Sequence, residues 1–360
     1  TPIYPVMDNL FMDVFFFSCP NRLLWDNWTK FMGEQTDPGD SIDYLVPTIG
    51  PAGAGVYQAD EGTIYDYLGL PTGITSVLRQ SSAMPLRLYN RVYNEWFRDQ
   101  NLQDSVEEIR TDGPDVTNNT KNDVYKLLRR GKRHDYFTSA LPWPQKGDSV
   151  DLPLGTVAPI LSDGNAMQYQ VAAGPDAGND MGALTSSGSN ALFSLSQGGA
   201  AEYTSGLIAD LSDATAATIN QLRQAFQVQK LLERDARGGT RYVELVKSHF
   251  GVTTPSAGWR TEYLGGGTRM VNISPIAQTS ETGTSPQGNL AAMGTVSMDG
   301  IGFTKSFTEH CTLIGLINVR ADLTYQQGLN RLWSRQTRYD FYWPSLANIG
   351  EQAVLNQELV

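Results

Sequence analysis

Short apolar segments with the composition of β-strands recur along this chain, and turn-forming residues separate them. Segment 11–17 is almost wholly apolar and is stopped by Pro20. Segment 310–322 is rich in β-branched residues, and the aromatic segment 338–343 is closed by Pro344. With 35 Gly and 18 Pro among 360 residues, many turns are expected between such segments. The pattern predicts strands at all three places and a fold built mainly from short strands.

Three stretches have the spacing of amphipathic helices instead. The first covers 85–103, with Pro85 suited to the first turn. Its apolar side chains recur every three or four residues and share one face, which we interpret as core packing rather than a ligand platform. They are Tyr89, Val92, Tyr93, Trp96 and Phe97. The other two stretches are 219–237 and 242–250, each followed by Gly. Short strands with helices confined to the connections favour a β-sandwich with elaborated loops.

The acidic charge of the chain is unevenly distributed. The formal net charge is −11, which argues against the whole chain binding nucleic acid or an anionic membrane. Residues 147–222 contain eight acidic residues and no Lys or Arg, and they are rich in Gly, Ala, Ser and Asn. Such a segment is either a flexible linker or a surface insertion with short strands of its own, as at 166–171. We favour the insertion, because compact folds seldom contain long structureless loops without a function.

One local basic cluster interrupts the acidic background. Its members are Lys126, Arg129, Arg130, Lys132 and Arg133. Cations at this density suit contacts with the phosphates of nucleic acid, and Tyr125, Tyr136 and Phe137 lie nearby in sequence for base stacking. The alternative is a solvated face, or a set of contacts with acidic segments of other subunits. The sequence alone favours neither interpretation.

Motifs of catalysis and metal binding are missing from the sequence. It contains no GxxxxGK[ST], GxSxG or HExxH motif, and the glycines 265–267 lie among turn residues. Cys19 and Cys311 lie far apart and are interpreted as free buried thiols, and the three His residues as structural. The acidic turn 37–43 lacks the spacing of an EF-hand. We therefore expect no enzyme activity, no cofactor and no metal site.

Six longer motifs, together with both ends of the chain, carry a family resemblance. In order they read PIYPVMDNLFMDVFFF at 2–17, RLYNRVYNEWFRDQN at 87–101, KRHDYFTSALPWPQKGD at 132–148, NLAAMGT at 289–295, FTKSFTEH at 303–310, RADLTYQQGL at 320–329, RYDFYWP at 338–344 and GEQAVLN at 350–356. Together they resemble the major capsid proteins of microviruses, in particular the gokushovirus branch of small single-stranded-DNA bacteriophages. The resemblance covers nearly the whole chain and weakens over about 150–215.

The resemblance implies a fold class that is mainly β: an eight-stranded antiparallel jelly-roll β-sandwich with long loop and helix insertions, incomplete at both ends. Residues 1–150 and 216–360 would form the jelly-roll capsid core, and 151–215 a variable surface insertion that builds three-fold protrusions. Copies would assemble into an icosahedral capsid that encloses a circular single-stranded DNA genome, which the basic cluster would contact. Because the chain begins at Thr1 instead of Met, we expect an internal fragment of a longer protein.

The same resemblance implies partners and a location. The partners would be other capsid subunits, an internal scaffolding protein, a small basic DNA-packaging protein, a pilot protein and a receptor on the bacterial host surface, with no membrane insertion. The location would be the virion, and the host cytoplasm during assembly. The insertion would face the host, which fits its lack of cations. Its candidate contact residues are Asp163, Tyr169, Asp176, Asp180 and Tyr203.

Two other functions remain open on the sequence alone. A jelly-roll module that binds carbohydrate without assembling would use some of the 7 Trp and 16 Tyr residues. A hydrolase on a β-sandwich would need a catalytic His or a pair of carboxylates, and no such constellation stands out. A capsid subunit needs large self-complementary surfaces instead, for which the Trp- and Pro-rich segment 141–144 offers anchors.

Overall fold

A computed structural model provides the structure of the chain. It describes residues 8–50, 59–74, 81–115, 124–151, 160–162, 168–171, 180–181, 201–204, 207–209, 219–253, 255, 258–277, 279–281, 283–284, 287–288, 290–325, 327–347 and 352–359. The strands are β1 Leu10–Pro20, β2 Ile160–Ser162, β3 Gln168–Val171, β4 Asp180–Met181, β5 Ala201–Thr204, β6 Leu207–Ala209, β7 Glu262–Met270, β8 Asn272–Ala277, β9 Leu290–Thr295 and β10 Cys311–Ala321. The α-helices are α1 Trp28–Phe31, α2 Ile64–Tyr67, α3 Met84–Val92, α4 Ile219–Gly238 and α5 Tyr242–Phe250, and a π-helical turn, Tyr93–Phe97, continues α3. The described fold is therefore β-rich with some helices.

The longest strands form one antiparallel sheet in the order β10-β1-β7. Strand β1 lies in the centre and pairs with β10 along its whole length, from Leu10 opposite Ala321 to Pro20 opposite Cys311. Large aromatic and β-branched residues suit a central strand, because they fill the space above and below the pleated backbone. The strands predicted at 11–17 and 310–322 are thus confirmed as β1 and β10.

One face of this sheet is covered by α3 and the π-helical turn. The rings of Phe15 and Phe17 on β1 contact the ring of Phe97, with centroids 5.1 and 5.6 Å apart. Leu88 and Val92 on α3 are fully buried in the same cluster. The helix thus buries its apolar stripe against β1, which confirms that the stripe is core packing.

The helix predicted over 85–103 is shorter than expected. The N–H of Arg98 bonds to the carbonyl of Tyr93, five residues back, and Arg98 itself is extended with ψ 133°. The widened last turn ends the helical ladder at this point. The other two predicted helices are confirmed as α4 and α5, and Gly251 closes α5 in the left-handed conformation with φ 70°.

Three consecutive glycines, predicted to lie among turn residues, lie inside β7 instead. Gly265 has φ +155°, a conformation that residues with a Cβ rarely adopt. A Cβ on Gly266 would overlap the carbonyl oxygen of Val14 on the neighbouring β1. The register of the two strands also shifts between Phe16 and Phe17. The glycines therefore allow a close, irregular approach of two strands, and the turn interpretation is wrong.

A second apolar cluster also packs against α3. Its buried members are Ile49, Ala59, Ile64, Tyr65, Ala83, Leu86 and Tyr125. Arg87 on α3 forms an ion pair with Asp115 in which the two side chains are only 1% and 0% exposed. The Arg87 guanidinium also donates to the carbonyls of Leu24 and Thr111. A single buried cation thus ties the segment after β1 and the loop around 111–115 to the helix.

The chain divides into two compact units. The first is Thr1–Pro144 with Gly238–Val360 and contains the central sheet, and the second is Gln145–Arg237. Within the second unit β2 pairs with β6, and β3 lies between β4 and β5 in an antiparallel sheet. The short strand predicted at 166–171 is confirmed as β3. Among the described residues, no helix has the length and apolar character needed to cross a membrane.

Candidate nucleic-acid interface and assembly surface

The basic cluster lies on an extended loop that is held against the π-helical turn. The N–H of Gly131 bonds to the carbonyl of Phe97 at 2.7 Å, and the N–H of Leu128 bonds to the hydroxyl of Tyr89 at 2.9 Å. A Cβ on Gly131 would lie 2.9 Å from the backbone nitrogen of Asp99, so only glycine allows this close approach. The loop backbone is therefore fixed, and the side chains of the cluster project from a defined support.

Arg130 differs from the other four cations of the cluster. Its Nη1 lies 3.2 Å from Oδ2 of Asp13, and its guanidinium lies over the rings of Phe15 and Phe97 at 5.2 and 5.3 Å. Burial lowers the pKa of Arg130, and the charge of Asp13 opposes that change. Arg130 therefore joins the loop to β1, and its charge is already matched within the chain.

The remaining cations of the cluster are exposed on the same loop. They are Lys126, Arg129, Lys132 and Arg133. The side chain of Arg133 is 67% exposed and lies 4.0 Å from Asp322, and Nζ of Lys132 lies 5.9 Å from the ring centre of Tyr325. Lys126 and Arg129 form no ion pair with any residue that the structure describes. The structure thus brings four solvated cations to one surface loop, as contact with phosphates requires.

Two of the three aromatic residues near the cluster are placed where a base could stack. Tyr136 is 55% exposed, its ring lies 5.0 Å from that of Phe137, and Phe137 lies 4.5 Å from Tyr325. Tyr125 is buried instead and donates a hydrogen bond to Asp115 at 2.6 Å. The stacking role predicted for Tyr125 is therefore wrong, because its hydroxyl completes the buried ion pair of α3.

A buried carboxylate, Asp13, anchors this loop to the central sheet. It accepts hydrogen bonds from Thr268 on β7 at 2.7 Å and from Arg320 on β10 at 2.8 Å, in addition to its ion pair with Arg130. Burial alone raises the pKa of the Asp13 carboxyl, but the bonds from Thr268 and Arg320 and the charge of Arg320 outweigh it. The pKa of Asp13 is therefore below its ordinary value, and the ionised group joins three strands and the loop.

Replacing Asp13 by Asn is expected to lower the free energy of unfolding by about 2 kcal/mol at pH 7, because charged hydrogen bonds are lost. A carboxyl whose pKa is depressed in the folded state stabilises the fold above the unfolded pKa, and this contribution is lost as the pH falls through the folded pKa. The wild-type chain should therefore lose more stability than the variant between about pH 5 and pH 2. Urea unfolding followed by Trp fluorescence measures both values, and equal losses would contradict the prediction.

A second exposed surface is formed by residues 332–346, which we term the aromatic segment. Its large apolar side chains are exposed over 42% to 81% of their area. They are Leu332, Trp333, Tyr339, Phe341, Tyr342, Trp343 and Leu346. Single exposed apolar residues are ordinary in soluble proteins, but seven within fifteen residues is a density typical of surfaces that contact a partner. Trp and Tyr are also the residue types that contribute most to protein interfaces.

The aromatic segment keeps its shape through local bonds rather than through a core of its own. The carboxylate of Asp340 accepts hydrogen bonds from two backbone N–H groups that precede it, and the indole of Trp343 donates to the carbonyl of Arg338 at 2.7 Å. Residues Arg338–Asp340 consequently form a 3-10 turn. The strand predicted at 338–343 is therefore wrong, because side-chain capping competes with strand formation here.

Sequence reasoning placed the assembly anchors at 141–144 and missed the aromatic segment. Trp143 is half-buried, whereas Trp333 is 74% exposed and Tyr342 is 81% exposed. The sequence feature that could have predicted this surface is the combination of Arg335 and Arg338 with closely spaced Trp and Tyr residues, a composition typical of interface centres. The same aromatic residues also have high strand propensity, which suggested a strand.

The candidate host-facing residues of the insertion are placed only in part. Tyr169 lies on β3, and Tyr203 lies opposite it on β5. Asp180 lies on β4, the other neighbour of β3. Asp163 and Asp176 lie outside the described residues. Three of the five candidates are thus brought to one small sheet.

Cys19, Cys311 and His310 have side chains that can act in catalysis, but their surroundings are those of packing residues. Burial raises the pKa of the Cys19 thiol to about 12 and also raises the pKa of Cys311, which favours the protonated thiol over the more nucleophilic thiolate. Both are free thiols, as predicted, but only Cys19 is buried, whereas Cys311 is half-buried. His310 precedes β10, and its ring lies 5.8 Å from that of Trp28. Within the described ranges, no group of His, Cys, Asp or Glu side chains is arranged to hold a metal ion.

Comparisons with known proteins show what the whole chain is similar to. The model of a phage family described as "Capsid protein (F protein)" matches residues 1–360. The chain is 49% identical over 373 residues to capsid protein VP1 of Bdellovibrio phage phiMH2K, and the match covers 100% of the chain and 68% of that protein. It is 38% identical to capsid protein VP1 of Chlamydia phage 1 and 36% identical to that of Spiroplasma virus 4, with the whole chain matched to 70% and 68% of those proteins. All three relatives come from microviruses.

Proposed function

Since the chain belongs to the capsid protein (F protein) family of phages and is a structural protein of the virion, we propose that its copies form an icosahedral microvirus shell around circular single-stranded DNA. The observation that supports self-assembly is the aromatic segment, whose exposed Trp and Tyr side chains have the composition of a protein interface. The family and the names of the relatives point to a structural protein rather than an enzyme. No observation favours the carbohydrate-binding module or the hydrolase.

Strands β1 and β7 to β10 would belong to an eight-stranded antiparallel jelly roll with long loop and helix insertions. Strand β1 has β7 and β10 as neighbours, which are distant along the chain, and Greek-key connections produce such neighbours. Residues 1–150 and 216–360 would form this core, and 151–215 the variable insertion. The compactness of Gln145–Arg237 as a unit of its own supports the division.

The exposed part of the basic cluster would contact the genome inside the shell. Its four cations are solvated, and Tyr136 beside them offers a ring for base stacking. The net charge of −11 leaves most genome neutralisation to another component, which would be a small basic packaging protein. An internal scaffolding protein and a pilot protein would complete the set of assembly partners in the host cytoplasm.

The insertion would project from the shell and face the bacterial host. Residues 147–222 contain no Lys or Arg, so this segment is unsuited to DNA, and the small sheet around β3 gives it a framework of its own. Tyr169 and Tyr203, paired across two strands of that sheet, are the described residues that we propose for contact with a host receptor.

Reversing the charge of Lys126, Arg129, Lys132 and Arg133 to Glu, with Arg130 retained, is expected to lower the DNA content of purified particles by about half or more, because phosphate contacts become repulsive. Arg130 is retained because its loss would remove one of the two cations that pair with the buried Asp13 and so disturb folding. Particles are purified by sedimentation, and DNA per particle is quantified. Unchanged DNA content would contradict the role of the cluster.

A variant in which a short Gly-Ser linker replaces 155–210 is the control for this experiment. It should assemble with the normal DNA content but attach poorly to host cells, since it lacks the host-facing surface and keeps every cation of the cluster. Loss of particles in this variant would contradict the projection of the insertion from the shell. Absence of closed shells even for the wild-type protein produced with its partner proteins would overturn the assembly proposal itself.

A further inference from the structure

The first unit also has an acidic surface, formed by residues 34–45 and 60–67, which we term the acidic loops. Between Lys30 and Arg79 there is no Lys or Arg, and this stretch contains seven carboxylates. They are Glu34, Asp37, Asp40, Asp43, Asp60, Glu61 and Asp66. All seven lie in the described part of the chain, and none of them forms an ion pair with a described residue. Within the described part of one copy, this charge is therefore left without a cation.

The acidic loops also expose apolar side chains between the carboxylates. Ile42 is 50% exposed, Leu45 is 84% exposed and Tyr67 is 73% exposed. The carboxylates of Asp40 and Asp66 accept hydrogen bonds from backbone N–H groups of their own turns, so the loops have a defined shape. The surface therefore combines negative charge with apolar area.

The aromatic segment has the complementary properties. Arg335 and Arg338 are exposed, and their described contacts are with aromatic rings: Arg335 lies 5.6 Å from the ring of Phe341, and Arg338 lies 5.3 Å from that of Tyr339. Arginine stacked on an aromatic ring keeps its hydrogen-bond donors available for a carboxylate. The segment thus presents two cations within a large apolar surface, while the acidic loops present anions around apolar side chains.

We propose that the aromatic segment of one copy docks on the acidic loops of a second copy, with Arg335 and Arg338 facing Glu34, Asp37 and Asp43. The inference rests on the proposed self-assembly and names the surfaces that perform it. Two different patches of one chain that fit each other make a head-to-tail contact, and such contacts close into rings when the rotation between copies permits. The exposed cations of the basic cluster lie beside Leu127, Tyr136 and Tyr325, which are 49%, 55% and 41% exposed. This apolar group is smaller than the seven exposed side chains of the aromatic segment, so the basic cluster is the poorer match for an interface with an apolar centre.

A charge-swap experiment tests this contact on the full chain. The variant Arg335→Glu/Arg338→Glu and the variant Asp37→Lys/Asp43→Lys are each expected to reduce the assembled fraction about tenfold or more, since like charges then meet at every contact. Combining all four substitutions should restore assembly, because the ion pairs are re-formed with opposite orientation. Sedimentation velocity measures the assembled fraction, and the melting temperature of each variant subunit, expected unchanged at these exposed positions, excludes a folding defect.

The matched control combines Lys132→Glu/Arg133→Glu with Asp37→Lys/Asp43→Lys, and here no rescue is expected. Rescue by this control would assign the acidic loops to the basic cluster and overturn the proposal. Failure of the fourfold swap, with the wild type assembling normally, would also overturn it while leaving self-assembly intact. A wild type that never assembles would refute the proposed function instead.

A second measurement does not depend on losing assembly. Particles of Arg335→Lys/Arg338→Lys keep both charges, and a water-soluble carbodiimide joins an introduced lysine to any carboxylate that it contacts as an amide. Mass spectrometry of mixed isotopically labelled copies should identify links between copies from 335 or 338 to 34–43. Intermolecular links from these lysines only to other regions would contradict the docking.

Discussion

Replacing Asp115 by Asn is expected to lower the free energy of unfolding by about 3–5 kcal/mol, since it leaves a buried cation without its counter-charge. Asp115 is fully buried and receives bidentate hydrogen bonds from Arg87 at 2.9 and 2.5 Å. Tyr125 donates to the same carboxylate at 2.6 Å, and burial together with the charge of Asp115 raises the pKa of that phenol. An asparagine can accept some of these hydrogen bonds, but it carries no negative charge to balance the positive charge of Arg87.

Urea unfolding of the purified chain measures this loss. The matched control is Asp26→Asn, because Asp26 pairs with Arg110 at 2.5 Å while its side chain is 57% exposed. An exposed pair contributes about 0–1 kcal/mol, so the control should be nearly as stable as the wild type. If the two variants were equally stable, the buried ion pair would not be a determinant of the fold. Tyr125, which bonds to Asp115, directly precedes Lys126 of the basic cluster, so Asp115→Asn should also disturb the backbone at the start of the cluster.

The second large effect is expected at Gly266, where replacement by Ala should destabilise the chain by about 3 kcal/mol through overpacking. The added Cβ would overlap the carbonyl oxygen of Val14 and would come within 2.8 Å of the Tyr263 hydroxyl. Backbone atoms of a paired strand cannot move aside without breaking the ladder, so β7 must separate from β1. Amide hydrogen exchange should therefore increase along both strands at this place.

Gly267→Ala is the matched control for this substitution. Its added Cβ would come closest to the terminal methyl of Ile301, at 2.7 Å, and the end of a flexible side chain can rotate away. The neighbouring variant should thus be close to the wild type in thermal unfolding, while Gly266→Ala melts at a much lower temperature. Equal melting temperatures would show that the strands do not need the close approach.

Sequence patterns predicted those elements whose cause is local. The almost wholly apolar run at 11–17 predicted β1, and the spacing of three and four predicted the core face of α3. Gly after the last apolar residue predicted the end of α5 at Gly251. The π-helical turn and the 3-10 turn at Arg338–Asp340 were missed. Each depends on particular hydrogen bonds, whereas the residue patterns favoured a longer helix at the first place and a strand at the second.

The features of the candidate site were likewise predictable from the sequence only in part. The basic cluster was evident from composition, since five cations within eight residues need no tertiary information. The separate role of Arg130 within the cluster was not evident from the sequence, because only the fold brings Arg130 to Asp13, a residue 117 positions away. The burial of Tyr125 and the exposure of Trp333 likewise depend on what the rest of the chain places beside them.

By itself, the sequence determined the family, the β-rich class with helices in the connections, and the segregation of charge between an acidic insertion and a basic loop. Each of these follows from residues close together in the chain or from motifs in order. Only the tertiary structure decided that the glycines of β7 permit a close strand contact, that one arginine of the cluster is structural, and that the aromatic segment remains uncovered. These properties arise from contacts between distant residues, and a side chain's surroundings rather than its type determine whether it packs, pairs or stays exposed.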